Sequence, residues 1–447
     1  MRKAARRTGL LIGIVVGLFV LALICISLFF DANPYKSKIR AAVAQSTAMD
    51  LQIRGDIRFK LFPSARIVLH DVHLKNRGTE LLAAQTIEAT PKLFSSLIHQ
   101  EIRIGKIALN QPTVHLEKTA NGKMNYEPAS PSKGKAGKKA DESTPAGEIQ
   151  SIQIDNGELN YVDRSTQKRI QARGVNTHLS GVDWSDQNII QSLSLNGSIE
   201  ARSIQVGDVQ ATDLRTKIHA DHGILRLDST HAKVFSGTIQ GTAQGDFQSK
   251  TPKWTLDQKM SQVEIKQIAQ SLKDKISGLI DGSIKLNAVG SESQSIMRSL
   301  NGIVSIQSQN FKLNAPKLTN LASILSSMPG ANSGFSGLGL SEIQKLVMDW
   351  SIKNGIAQAK DVALSTPKST VAARGSIDLR DRKFQNFFVA TVDEKGCSKR
   401  QMEIAGPLDS PHPSSHSVGK ELAGILGGIL PSSGCDHFYS GSLARPG

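Results

Sequence analysis

Aromatic side chains make up only 5% of this 447-residue chain, which excludes a thick aromatic core and leaves the aliphatic and small polar residues that suit half-buried sheets. Cysteine is scarcer still, with three residues in all. No Cys-x-x-Cys pair, H-E-x-x-H helix, Walker loop, dinucleotide fingerprint or G-x-S-x-G elbow occurs, so zinc, nucleotide and acyl-enzyme chemistry lack their usual signatures. His70/His73 and His219/His222 come nearest to a metal pair, and neither has a third ligand at a recognised spacing. Asp and Glu are spread singly over polar positions. The expectation is a protein that is not an enzyme, with no catalytic residue, metal ligand or cofactor.

Long hydrophobic runs are also few. The first spans Leu10 to Phe30 without a charge and follows Arg2, Lys3, Arg6 and Arg7. As a helix it measures roughly 32 Å, close to the ~30 Å hydrocarbon core of a bilayer. It ends Ser27-Leu28-Phe29-Phe30, without the small-residue exit of a cleaved signal. The expectation is a retained single-pass anchor with a cytoplasmic N-terminus, since basic residues stay inside. The net charge of +15 invites a nucleic-acid reading. Eight of its cations, however, sit before the anchor or at Lys133, Lys135, Lys138 and Lys139, and no basic stripe carries interleaved aromatics. Anionic lipid or lipopolysaccharide surfaces are one expected counter-charge and a solvated basic surface without a partner is the alternative, while nucleic acid is not an expected partner. Cys25 lies inside the anchor, leaving Cys397 and Cys435 on the far side. An oxidising compartment would join them in a disulfide, with two free thiols as the alternative.

Past the anchor, Asn33-Pro34 offers a cap and first turn for a short amphipathic helix through Val43. The period then changes to two: Leu51, Ile53, Ile57 and Phe59 alternate with polar residues, as a strand with one apolar face requires. Ile67 and Leu69 give way to Val72 and Leu74, a phase slip that a bulge or turn at His70-Asp71 explains. Further strands are expected around Ile102 to Leu116, with a helical interruption at Pro91 to Ile98. Residues 129–147, rich in Ser, Pro, Gly and Lys, read as a mobile linker and a domain boundary.

A unit then recurs in which glycine precedes alternating apolar residues: Gly157 to Tyr161, Gly197 to Ala201, Gly282 to Leu286, Gly302 to Ile306 and Gly375 to Leu379. It reads as a turn feeding a strand. Ile284, Leu286, Ile377 and Leu379 thereby join Leu51, Ile53, Ile57 and Phe59 as candidates for one apolar face. Helical spacing is seen at Ile265 to Ile276, Leu318 to Met328 and Val418 to Ile429, with a Gly/Ser-rich loop at 329–341 and a linker at 407–417. The expected organisation is a cytoplasmic tail at 1–9, the anchor at 10–30, a β region at 31–128, the linker at 129–147, a repetitive β region at 148–406, and a linker with a C-terminal helical and disulfide segment at 407–447.

Asn33-Pro34-Tyr35-Lys36, Leu51 to Ile57, Phe62-Pro63 and Leu69 to Asn76, followed by Val234-Phe-Ser-Gly237, Gly278 to Gly290 and Leu300 to Leu313, resemble the AsmA family of the Gram-negative envelope. The resemblance implies an inner-membrane anchor, a chain projecting into the periplasm, and a mainly β fold with short helices forming an elongated, curved antiparallel groove. That groove would bind or transfer phospholipid in outer-membrane biogenesis. The alternative is a scaffold or chaperone for outer-membrane protein assembly. Implied partners are the inner membrane, phospholipid or lipopolysaccharide, outer-membrane proteins and a distal periplasmic partner.

Overall fold

Among the described residues, alternating apolar and polar residues build 21 strands, accompanied by short helices. The computed structural model describes residues 33–60, 65–91, 104–127, 147–185, 189–264, 276–313, 342–367, 369–414 and 435–443. The chain divides into two compact units, Met1–Gly223 and Ile224–Gly447. The expected anchor at 10–30, most of the linker, and the helical spacings at 92–98, 265–275, 318–328 and 418–429 lie outside the described residues. Among those residues no helix is long and apolar enough to cross a membrane.

The first unit opens with a tight turn at Asn33–Tyr35 and helix α1, Lys36–Thr47. The Asn33 side-chain Oδ1 accepts the Ile57 backbone N–H at 3.2 Å, tying the turn to the sheet. Strands β1 (Asp50–Ile53) and β2 (Ile57–Lys60) both pair with β3 (Arg66–Asn76). Next come β4 (Thr79–Pro91), then β5 (Ile104–Asn110) and β6 (Thr113–Lys118), which lie end to end along β4. The row closes with β7 (Gly147–Asp163), β8 (Lys168–Trp184), β9 (Ser194–Val206) and β10 (Val209–Asp221). A four-residue helix α2, Ile189–Ser192, links β8 to β9.

The sheet is mixed rather than antiparallel throughout, because β7 runs parallel to β5 and β6. A parallel return needs a crossover of a dozen or more residues, and the stretch between Lys118 and Gly147 supplies it. That stretch joins two neighbouring strands of the first unit, and the two units meet in sequence at Gly223.

The slip at His70-Asp71 is a bulge, with Asp71 at φ +50°. Arg54 and Gly55 donate their backbone N–H groups to Asp71 and His70. It is one of a row, since Gln111, Asn156, Gly174 and Asp213 also adopt positive φ where their strands change phase. Asp and Asn tolerate this left-handed conformation better than most residues.

In the second unit, β11 (Ile224–Val234), β12 (Gly237–Asp246), β13 (Lys253–Glu264), β14 (Ile276–Val289) and β15 (Asn301–Leu313) follow one another. They continue through β16 (Glu342–Lys353), β17 (Ile356–Ser365), β18 (Thr370–Asp378), β19 (Lys383–Val392), β20 (Ser398–Ala405) and β21 (His412–Pro413). All of these neighbours are antiparallel. Helix α3, Ser293–Ser299, connects β14 to β15.

Two expectations are corrected here. The recurring glycines mostly sit inside strands rather than in turns: at Gly197 an added Cβ would lie 2.1 Å from the His178 carbonyl oxygen of the neighbouring strand. They mark close backbone approach. Residues 407–414, read as linker, fold back instead, with Leu408 donating to Arg382 O and Ser414 to Glu403 O.

Candidate functional site

Residues directly opposite each other in a ladder project to the same side of a sheet. In the first unit one row reads Leu51, Leu74, Leu82, Val114, Leu159, Ala172, Ile204 and Ala211 across eight strands. Beyond the row of bulges a second reads Ile57, Leu69, Ile87, Leu109, Ile154, Thr177, Ile199 and Thr216. The other side is polar, as in Gln52, His73, Ala83, Thr113, Glu158, Arg173, Ser203 and Thr212. The second unit repeats the division. Leu227, Ala243, Leu256, Leu286, Gly302, Ile352, Ala357, Ile377 and Phe384 form its apolar row. Thr242, Asp257, Lys285, Ile303, Ser351, Gln358, Ser376 and Gln385 run along the opposite side.

Most of the proposed face residues thus fall on these rows. Leu51, Ile53 and Ile57 share a buried cluster with Val72, and Ile39 and Val43 of α1 pack on it. Phe59 stands opposite Ile67 and is half-buried. Leu286 and Ile377 share one row, and Ile284 lies in the adjacent row with Val304 and Trp350. Leu379 falls in the turn after β18, beyond the ladder rows, where its backbone N–H donates to Gly355 O. Leu10 and Phe30 lie outside the described residues.

Among the described residues no second sheet packs over the apolar face. Apart from helix contacts of α1 with β1, α2 with β8 and α3 with β14, the principal packing runs between ladder neighbours. Row members such as Leu82, Leu159, Ile154, Ile199 and Leu256 remain half-buried. In the second unit the face deepens into a pocket of about 300 Å³ beneath α3, lined by Leu225, Leu227, Trp254, Leu256, Leu286, Ile296 and Leu300 among others. The sequence reading missed Trp254, Ile296 and Leu300. Trp254 and Leu256 do alternate, but α3 is too short to display a helical period.

Several titratable groups on the polar side and in the turns are held by neighbouring side chains. The Ser165 hydroxyl, donating to Asp163, lowers its carboxyl to about 2, and Lys118 pairs with the same carboxylate at 3.7 Å. Asp378, 1% exposed, is lowered to about 2 chiefly by the Arg380 side chain and also accepts from Gln385. His73 lies between Asp71 Oδ1 at 2.9 Å and Glu80 Oε2 at 2.7 Å. His219 contacts Asn196 and His222 contacts Asp221, so neither histidine pair of the sequence converges on one point.

Cys397, Cys435 and His437 form the one group of three metal-type ligands among the described residues. The two cysteines are disulfide-bonded with Cα atoms 5.2 Å apart, which removes both thiolates. That bond anchors residues 435–443 on the side of β17–β19 away from the apolar rows, where Phe438 and Tyr439 pack on Ala363, Ala372 and Ala390. The Tyr439 hydroxyl donates to Asp361 Oδ1 at 2.5 Å, and burial raises it to about 12.

A comparison with curated proteins finds no match for the chain. The model of the AsmA family matches it twice, over residues 1–192 and 183–362. With most of its length covered, the chain belongs to the AsmA family.

Proposed function

We propose that this protein binds phospholipid by its acyl chains along the apolar face of its β-sheets, which act as a groove, and so serves envelope biogenesis as a lipid carrier. Membership of the AsmA family supports a role in envelope biogenesis or lipid transfer. The observation that carries the reading is the half-buried apolar rows without a second sheet over them among the described residues. Isolated exposed leucines are ordinary, but a contiguous apolar strip marks a surface meant for an apolar partner. Acyl chains suit it because they carry no polar atom needing a hydrogen bond, and the strands' own polar backbone groups are taken up in the ladders.

The run from Leu10 to Phe30 supports a single inner-membrane anchor with the N-terminus cytoplasmic and the rest periplasmic. Helix α1, directly after it, would bring the covered end of the first unit's face to the membrane. The protein acts by binding rather than by catalysis, and its further partners would be lipopolysaccharide, outer-membrane proteins or a distal periplasmic protein.

The test is to secrete residues 31–447 without the anchor, purify them without detergent and extract bound lipid for mass spectrometry. Stoichiometric phospholipid is expected. Lipid-free, monodisperse protein that crosslinks to nascent outer-membrane proteins would overturn this reading in favour of a scaffold.

A further inference from the structure

The pocket beneath α3 differs from the rest of the apolar face because it has walls as well as a floor. Leu227, Leu256 and Leu286 form the floor, while Ile296 and Leu300 overhang it from α3 and the segment after it. Trp254 closes one side, 37% exposed. Its indole Nε1–H donates to Gly290 O at 2.8 Å, and the Phe247 ring meets it edge-on at 5.3 Å. The one polar atom of the indole is thereby satisfied within the wall, and the ring offers carbon to the pocket. The overhang is fixed: Ser299 Oγ accepts from Val289 N at 2.8 Å and donates to Val289 O at 2.6 Å. Gly290 is required where α3 leaves β14, since its φ is +148° and a Cβ would lie 2.2 Å from Ser295 Oγ.

Resting on the function proposed above, we propose that this pocket is a seat for a segment of one acyl chain, with Trp254 as its wall. A volume of about 300 Å³ corresponds to roughly ten water molecules, the size of a chain segment rather than of a whole lipid. Apolar cavities of this kind take up hydrocarbon rather than ordered water. An extended peptide fits poorly, because its N–H and C=O groups would find no partners over a sheet face whose backbone bonds lie in the plane. A helix, about 10–12 Å across with its side chains, is too broad for the space under α3.

The chain has three tryptophans, Trp184, Trp254 and Trp350, and Trp350 stands on the same apolar side as Ile284. Two full-length single-tryptophan proteins, W184F/W350F and W184F/W254F, would be reconstituted in phosphatidylcholine vesicles and titrated with 9,10-dibromostearate, with stearate as control. The seat predicts saturable quenching of Trp254 by at least twofold. It also predicts that Ile296→Asp, or the space-filling Ala243→Leu, weakens the apparent affinity at least fivefold with the far-ultraviolet circular dichroism unchanged. Quenching of Trp350 alone would overturn the seat and leave the lipid-binding face standing. Quenching of neither tryptophan would overturn both. Quenching of Trp254 that neither substitution alters would also overturn the seat.

Discussion

Helices α1 and α3 both lie on an apolar sheet face, one in each unit, and they treat it differently. The 12-residue α1 docks directly, inserting Ile39 and Val43 against Leu51, Ile53 and Ile57 until Val72 has no exposed surface. The 7-residue α3 is held by serine hydroxyls at its ends and leaves about 300 Å³ beneath it. The same kind of face is therefore a core where a helix seals it and a binding surface where one stands off. Helix length and tether decide which.

The largest effect expected is on the strap at residues 435–443, a third cover that lies on the opposite side of the sheet. Cys397→Ser opens a 38-residue loop, and the chain-entropy relation puts the loss at about 4 kcal/mol. Chemical denaturation would measure it. Dibromostearate quenching of Trp254 should not change, because the strap and the pocket occupy different faces. A parallel loss of quenching would break the distinction between covering and binding surfaces.

A smaller effect separates the two helices. Ile57→Ala, under α1, removes a side chain only 4% exposed and should cost about 3 kcal/mol. Leu286→Ala, in the pocket under α3, should cost well under half of that while weakening acyl-chain affinity. Equal costs would mean that the pocket is ordinary core.

The smallest effect concerns pH. The Arg380 side chain holds Asp378 down at about 2, below the ~3.9 of an unfolded aspartate. Its stabilisation is present above about pH 4 and is lost as the pH falls through about 2. The thermal midpoint of the second unit should drop across that window, and Asp378→Asn should flatten the dependence. The pocket has no carboxylate in its lining, so acyl-chain affinity should not follow the same curve.

Much of this was legible in the residues. Period two at Leu51 to Phe59 and at Gly282 to Leu286 marks the strands, and the slip at His70-Asp71 marks a bulge, because alternation is a direct consequence of backbone geometry. Pairing was not legible. The parallel return of β7 depends on which strands meet across the stretch between Lys118 and Gly147, and a period of two is the same in either direction. The glycines misled because Gly197 answers a neighbouring strand's carbonyl rather than a turn in its own chain. Trp254 drew no notice because its role depends on Gly290, Ile296 and Leu300, brought together only by the fold.

The most direct test is a photocrosslinker placed at successive positions of β14 in the full-length protein in cells. Ile284 and Leu286 lie on apolar rows, while Ser283 and Lys285 alternate with them on the polar side. Lipid adducts are expected from Ile284 and Leu286 and few from Ser283 and Lys285. Equal lipid labelling at all four, or adducts only to protein from Ile284 and Leu286, would contradict this.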